Sequence, residues 1–426
     1  MMGARIFLSA SRCGLAVSIF ALALSASPLR ASELLDACAA KAASRFEIGF
    51  ASIGRDIARI DAPAAITACS RALAEDLGSI KAKAWLARAY FANGQTSQAL
   101  PLLVEASLAG NVVGLSIYGD MLITGNGVEK NLTRGVRLLR AAAEAGFAPA
   151  ENSLGLSYDF GEGVEQDFAQ AQHWYRAAAE QGLPRAQSNM GLMYQDGLGV
   201  PRDYVAAAAW FQRSADGGDA SGQVNLGKIW QDGLGVAVDN TKAAALYAAA
   251  AAQGDKFGQN NLGFLKENGL GTAKDLSGAA ALYQQAADQG LALAEHNLAL
   301  LYEDGQGVVR DYSKAMDLYR RAAEGGEMRA AVNLGLMYLN GTGTPVDYPE
   351  ALRWTSLAAG RDYPIGQNNM GHIYENGLGV KADRDAALHW YKLSADQGYQ
   401  LALDNLTRLS DASPKTFASK SKIGNF

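Results

Sequence analysis

Small and apolar residues return along this chain with a helical spacing nested inside a longer period. In residues 183–218, Ala186, Met190, Gly191 and Tyr194 fall on one helical stripe. A Gly-x-Gly loop follows, and Ala207, Trp210, Phe211, Ser214 and Ala215 make a second stripe. Each stripe is the apolar face of a short amphipathic helix, so the unit reads as two antiparallel helices joined by the loop. The first loop glycine recurs at Gly125, Gly161, Gly197, Gly233, Gly269, Gly305, Gly341 and Gly377, a constant step of 36 residues. Eight copies without an insertion predict an all-α chain in which each helix pair buries its stripe against the next.

The positions that do not vary have mechanical reasons. Glycine or alanine in the middle of the first helix (Gly119, Gly155, Gly191, Gly227, Gly263, Ala299, Gly335, Gly371) admits a close helix neighbour at up to about 1 kcal/mol of helix propensity. An aspartate one residue before the second helix (Asp167, Asp203, Asp239, Asp275, Asp311, Asp347, Asp383) is placed to cap it. The loop glycines end the first helix in left-handed backbone; with no strand before them they are not a phosphate cradle. An asparagine recurs at Asn189, Asn225, Asn261, Asn297, Asn333, Asn369 and Asn405, and is read as a framework amide bonded to the backbone of an adjacent turn. The first unit departs most, with Ile117 for the asparagine and Asn131 for the cap. The seventh ends in Asp362 instead of glycine, which predicts a local irregularity there.

Units such as SNMGLMYQDGLGVPRDYVAAAAWFQRSADGG, beginning at Ser188, resemble Sel1-like repeats, relatives of the tetratricopeptide repeat. The resemblance implies an α-solenoid, a right-handed superhelix of helix pairs, acting as a scaffold in envelope complexes or as a regulator of signalling or exopolysaccharide production. The expected organisation is a signal peptide at 1–31, capping helices at 32–78 and one tetratricopeptide-like repeat at 79–110. Eight Sel1-like repeats then occupy 111–398, followed by a capping helix at 399–410 and a disordered tail at 411–426.

By analogy with tetratricopeptide proteins, a partner lies against the first helices, on positions three, six, ten, thirteen and fourteen of each unit. These vary from copy to copy and give Arg185, Lys228, Phe257, Asn260, Phe264, Glu267, His296, Glu303, Arg329, Asn368, His372 and Glu375. Rings beside amides and charges suit an extended protein segment, the rings as anchors and the polar groups as register. The competing readings are a glycan held by Phe257 and Phe264, and a solvated face with incidental aromatics.

Composition narrows the rest. A formal net charge of -5 offers no broad basic face, which argues against nucleic acid as the partner. Arg5 and Arg12 precede an apolar run from Gly14 to Leu24 and then small residues, the layout of a cleavable export signal with cleavage between Ser25 and Ala31. At about 13 residues the run falls short of the roughly 20 that span a bilayer. A periplasmic or secreted product without a stable membrane anchor is expected, and no lipobox precedes Cys13. Cleavage leaves Cys38 and Cys69, which are expected to pair as a structural disulfide in an oxidising compartment.

No catalytic residues, metal site or cofactor are expected. Some exported Sel1-like proteins are described as β-lactamase-like, but the one Ser-x-x-Lys match is Ser419 to Lys422, with no Lys-Thr-Gly. His173 and His389 stand among polar neighbours on second helices, and His372 with Glu375 offers only two metal ligands.

Overall fold

The computed structural model describes residues 28–51, 57–411 and 424. Residues 1–27 of the expected signal peptide (1–31), the Ser419–Lys422 pair and the tail beyond Asp411, Gly424 excepted, lie outside the described residues. Among the described residues the chain forms twenty-one α-helices and no strand, an all-α solenoid of consecutive antiparallel pairs. None of these helices is long and apolar enough to cross a membrane. Two compact units divide the chain, Met1–Phe147 and Ala148–Phe426.

The first unit holds α1 (Pro28–Ala42), α2 (Ala62–Glu75), α3 (Ile80–Ala92), α4 (Thr96–Leu108), α5 (Val112–Thr124) and α6 (Leu132–Glu144). A disulfide joins Cys38 of α1 to Cys69 of α2, both fully buried. Beside it Trp85 packs into a cluster of alanines and donates its indole N–H to the Glu47 carboxylate at 3.0 Å. Burial raises the pKa of Glu47 against the lowering effect of its bonds from Ser44 and Trp85.

The second unit repeats one design seven times: α7 (Ala148–Phe160) with α8 (Phe168–Glu180), α9 (Pro184–Asp196) with α10 (Tyr204–Asp216), α11 (Ala220–Asp232) with α12 (Asn240–Ala252), and α13 (Lys256–Asn268) with α14 (Leu276–Asp288). It continues with α15 (Ala292–Asp304) and α16 (Tyr312–Glu324), α17 (Met328–Asn340) and α18 (Tyr348–Gly360), then α19 (Pro364–Asn376) and α20 (Arg384–Asp396), closed by α21 (Gln400–Asp411). The caps follow from the sequence. Asp203 accepts from the amides of Val205 and Ala206 at 2.9 and 3.0 Å, and Asn131 in the first unit caps α6 in the same way.

Glycine is required by space as much as by angle. A Cβ on Gly227 would stand 2.6 Å from the Tyr247 ring, so the two helices of this pair meet through that ring. The second loop glycine, Gly199, has φ +68 and carries no Cβ because the Phe168 carbonyl of the preceding repeat would lie 2.6 Å from it. At the end of the seventh repeat Asp362 takes φ 56, the only non-glycine residue with positive φ among the described residues. That is the irregularity expected there, and it continues the left-handed turn the other repeats make with glycine.

In six of the seven repeats one ring, Tyr175, Phe211, Tyr247, Tyr283, Tyr319 or Tyr391, is buried between helices, with Thr355 in its place in the other, and full burial of each ring stabilises by roughly 1.5–3 kcal/mol. First helices of neighbouring repeats touch at α9–α11, α11–α13 and α17–α19, and second helices have no comparable contact. Within this unit the first helices therefore gather on one side.

Candidate binding face

The recurring asparagines organise this side. The Asn189 amide donates to Asn152 Oδ1 at 2.9 Å, Asn297 to Asn260 Oδ1 at 3.1 Å and Asn405 to Asn368 Oδ1 at 3.0 Å, each partner lying 37 residues earlier. The bond runs to a side chain on the preceding first helix. It does not run to the backbone of an adjacent turn, as the sequence suggests. The amide is a rung between repeats, and its partner at the sixth position varies.

That variation decides which rungs are closed. Where position six is valine, as at Val224 and Val332, the asparagine 37 residues on loses its acceptor. Asn261 and Asn369 are those two. Each accepts at Oδ1 from the asparagine before it, Asn260 or Asn368, at 3.1 Å. Asn369 donates its amide to the Gly424 carbonyl at 2.7 Å and accepts from the Gly424 N–H, also at 2.7 Å. Asn261, half-buried, has the Tyr247 hydroxyl as its neighbour, a group that donates its own proton to Gln231 Oε1 at 2.8 Å. One further rung is irregular: the Nδ1 of His296, the counterpart of Asn333 37 residues earlier, is buried without a hydrogen bond, and Asn333 has the Tyr319 hydroxyl as its neighbour.

The twelve candidate residues separate into three groups. Arg185, Lys228, Phe257 and Phe264 are exposed, and Lys228 pairs with Asp232 of its own helix at 2.9 Å. Phe257 and Phe264 are 50% and 42% exposed. With Asn260 and Asn261 they occupy one face of α13, at spacings of three, four and seven residues. Since Asn260 reaches Asn297 of α15, this is the face on which first helices meet.

The acids are already engaged. Glu267, Glu303 and Glu375 accept from Tyr283, Tyr319 and Tyr391 at 2.6, 2.7 and 2.9 Å, each tying the first helix to the second of its own repeat. Glu375 also binds Arg408 of α21 at 2.7 Å. Arg329 is held by Glu327 at 2.8 Å. Asn260 and Asn368 are rung partners, and half-buried His372 lies close to Glu375 and Arg408. Buried His296 packs on the Tyr319 ring, 5.7 Å between centroids. Burial first, then the Arg329 charge, lowers its pKa to about 4.

Sequence reasoning passed over a second brace. Gln181 donates to Glu151 at 2.8 Å, and Gln253, Gln289 and Gln397 donate to Gln223, Gln259 and Gln367 at the same distance, always 30 residues back. The recurrence of a Gln or Glu at position five was the available signal. Elsewhere a cleft of about 700 Å³ is lined by Glu324, Met328, Arg353, Trp354, Leu357 and Arg361, and none of the twelve candidates enters it. Among the described residues no three His, Cys, Asp or Glu side chains come together as a metal site.

The profile of the Sel1 repeat matches eight segments: 114–147, 148–183, 184–219, 220–255, 257–291, 292–327, 329–363 and 364–399. The chain belongs to the Sel1-repeat family. Among solved structures, this Sel1-repeat protein is similar to c5321, described as a protective antigen present in uropathogenic Escherichia coli strains and displaying the Sel1-like fold. The two share 31% identity with a TM-score of 0.62, over 89% of this chain and 79% of that one. A Sel1 repeat protein from Oxalobacter formigenes has 31% identity and a TM-score of 0.53, over 73% of this chain and 90% of that one. No curated protein matches at a significant level. Sel1-repeat solenoids are scaffolds that generally bind protein partners, and the family is generally non-catalytic.

Proposed function

We propose that this Sel1-repeat protein is an exported, non-enzymatic adaptor that holds an extended segment of a partner protein against its first helices. The observation that carries the reading is Asn369, whose side-chain amide takes both the N–H and the C=O of one backbone residue, Gly424. Main-chain bonds of this kind supply affinity without regard to sequence, and neighbouring side-chain pockets add specificity. Asn261 stands in the same local frame, an Asn-Asn pair with valine 37 residues before it, and the exposed rings of Phe257 and Phe264 flank it on α13. The central repeats are therefore where a partner gains anchors as well as backbone bonds.

Export rests on Arg5, Arg12 and the apolar run from Gly14 to Leu24. The relative described as a protective antigen supports it, because an antigen that protects is one that immunity reaches. An alkaline phosphatase fused after residue 31 should be active in the periplasm; activity only after cell lysis would refute export.

The binding reading is tested by selecting displayed heptapeptides on the purified chain. Selected peptides should bind the wild type and lose at least about tenfold, near 1.4 kcal/mol, on a Phe257→Ala/Phe264→Ala chain, while His173→Ala leaves binding intact. Peptide binding indifferent to the double substitution, or binding of soluble cell-wall glycan fragments that the substitution abolishes, would contradict it.

A further inference from the structure

We propose that the chain carries its own ligand: the backbone at Gly424 occupies the Asn369 rung, and the site is shaped for an extended segment with glycine at the clamped residue. The proposal rests on the peptide-binding reading above and adds to it the identity of an occupant and a selection rule.

The site is built from the inside outward. Val332 withholds an acceptor from Asn369, so its amide is not spent on the preceding repeat. Asn405 donates to Asn368 at 3.0 Å and Asn368 to Asn369 at 3.1 Å, a chain of amides that fixes which way the Asn369 oxygen and nitrogen point. Asn369 is 1% exposed, so both of its polar edges need partners. A primary amide presents an acceptor and a donor side by side. An extended residue presents its N–H and C=O on the same edge, as it does to a neighbouring strand. The two 2.7 Å bonds to Gly424 are that pairing made by a side chain.

Glycine is selected by space. A Cβ at Gly424 would lie 2.5 Å from the Tyr399 hydroxyl and 2.9 Å from Ile365 Cγ2. The phenol can swing aside, but the Ile365 methyl sits on a branched carbon of α19 and cannot retreat as far. Because Gly424 belongs to the same chain as its rung, it competes at an effective concentration that a free peptide must exceed. A partner segment that used this rung would have to displace it.

Amide hydrogen exchange on the full chain tests the contact, with the eight-residue peptide Ser-Lys-Ser-Lys-Ile-Gly-Asn-Phe as probe for the selection rule. In the wild type the Gly424 amide should exchange at least about tenfold more slowly than in an unstructured peptide. Gly424→Val and Asn369→Ala should each return it to the unprotected rate while the amides of α13 and α15, read in the same experiment, stay protected. The labelled peptide should bind the Gly424→Val chain more than about tenfold tighter than the wild type, where the tether competes. A peptide with valine in place of its glycine should not bind. An unprotected Gly424 amide in the wild type, or equal peptide binding to both chains, overturns the proposal and leaves the Phe257 and Phe264 result untouched. Protection of Gly424 together with a failed Phe257/Phe264 test would separate the two the other way.

Discussion

His296 stands where five other repeats place an asparagine or serine (Ser116, Asn152, Ser188, Asn260 and Asn368), and it is the one member of the rung system that titrates in a useful range. Burial and the facing Arg329, partly offset by Glu327, lower its pKa from 6.5 to about 4. In the unfolded chain it takes up a proton near pH 6.5, so between pH 6.5 and about 4 the unfolded state binds more protons than the folded one. Stability contributed by neutral His296 is therefore whole above pH 6.5 and is lost as pH falls to about 4, by up to about 3 kcal/mol. Denaturant melts at pH 7 and pH 4.5 should show a smaller acid loss in His296→Asn than in the wild type; equal losses would refute the assignment. Glu151 acts with the opposite sign, since burial raises its pKa to about 7 and stability from that group falls as pH rises from 4.5 to 7. A Glu151→Gln variant must therefore be measured separately from His296→Asn.

Within the elements, the account turns on caps and close packing. Asp203→Ala should cost about 1 kcal/mol by removing the acceptor for two amides of α10. Gly227→Ala should cost about 1–3 kcal/mol, because the new methyl meets the Tyr247 ring. Urea midpoints check both, and a neutral Gly227→Ala would mean that the helix pair is looser than described. These positions were legible because their cause is local: a cap three residues from its amide, or a glycine recurring at a fixed place. The glutamates at position thirteen were less so. Glu303 varies between repeats like a surface residue, yet its partner Tyr319 lies 16 residues on and draws it inward. The rung asparagines were recognised as framework but given the wrong partner, since that partner lies on the preceding first helix. Asn369 was hidden for a further reason: its partner Gly424 is 55 residues away and belongs to no repeat.

Across the whole molecule, repetition distributes stability as a sum of near-neighbour interfaces, which leaves the end units to be secured by other means. In the first unit that means is the Cys38–Cys69 disulfide, which closes a loop of separation 31. Replacing both cysteines by serine should remove about 3–4 kcal/mol from that unit's unfolding transition and leave the Ala148–Phe426 unit unchanged. Hydrogen exchange resolved by unit distinguishes this from a uniform loss. The same repetition frees one side of the helices to vary, and there the claim about function is most exposed. A photo-reactive phenylalanine analogue placed at position 264 in cells, with the same probe at exposed His173 on α8 as comparison, tests it most directly. The account predicts a discrete protein adduct from position 264 and none from 173, whereas equal labelling at both sites, or no protein adduct at 264, would contradict it.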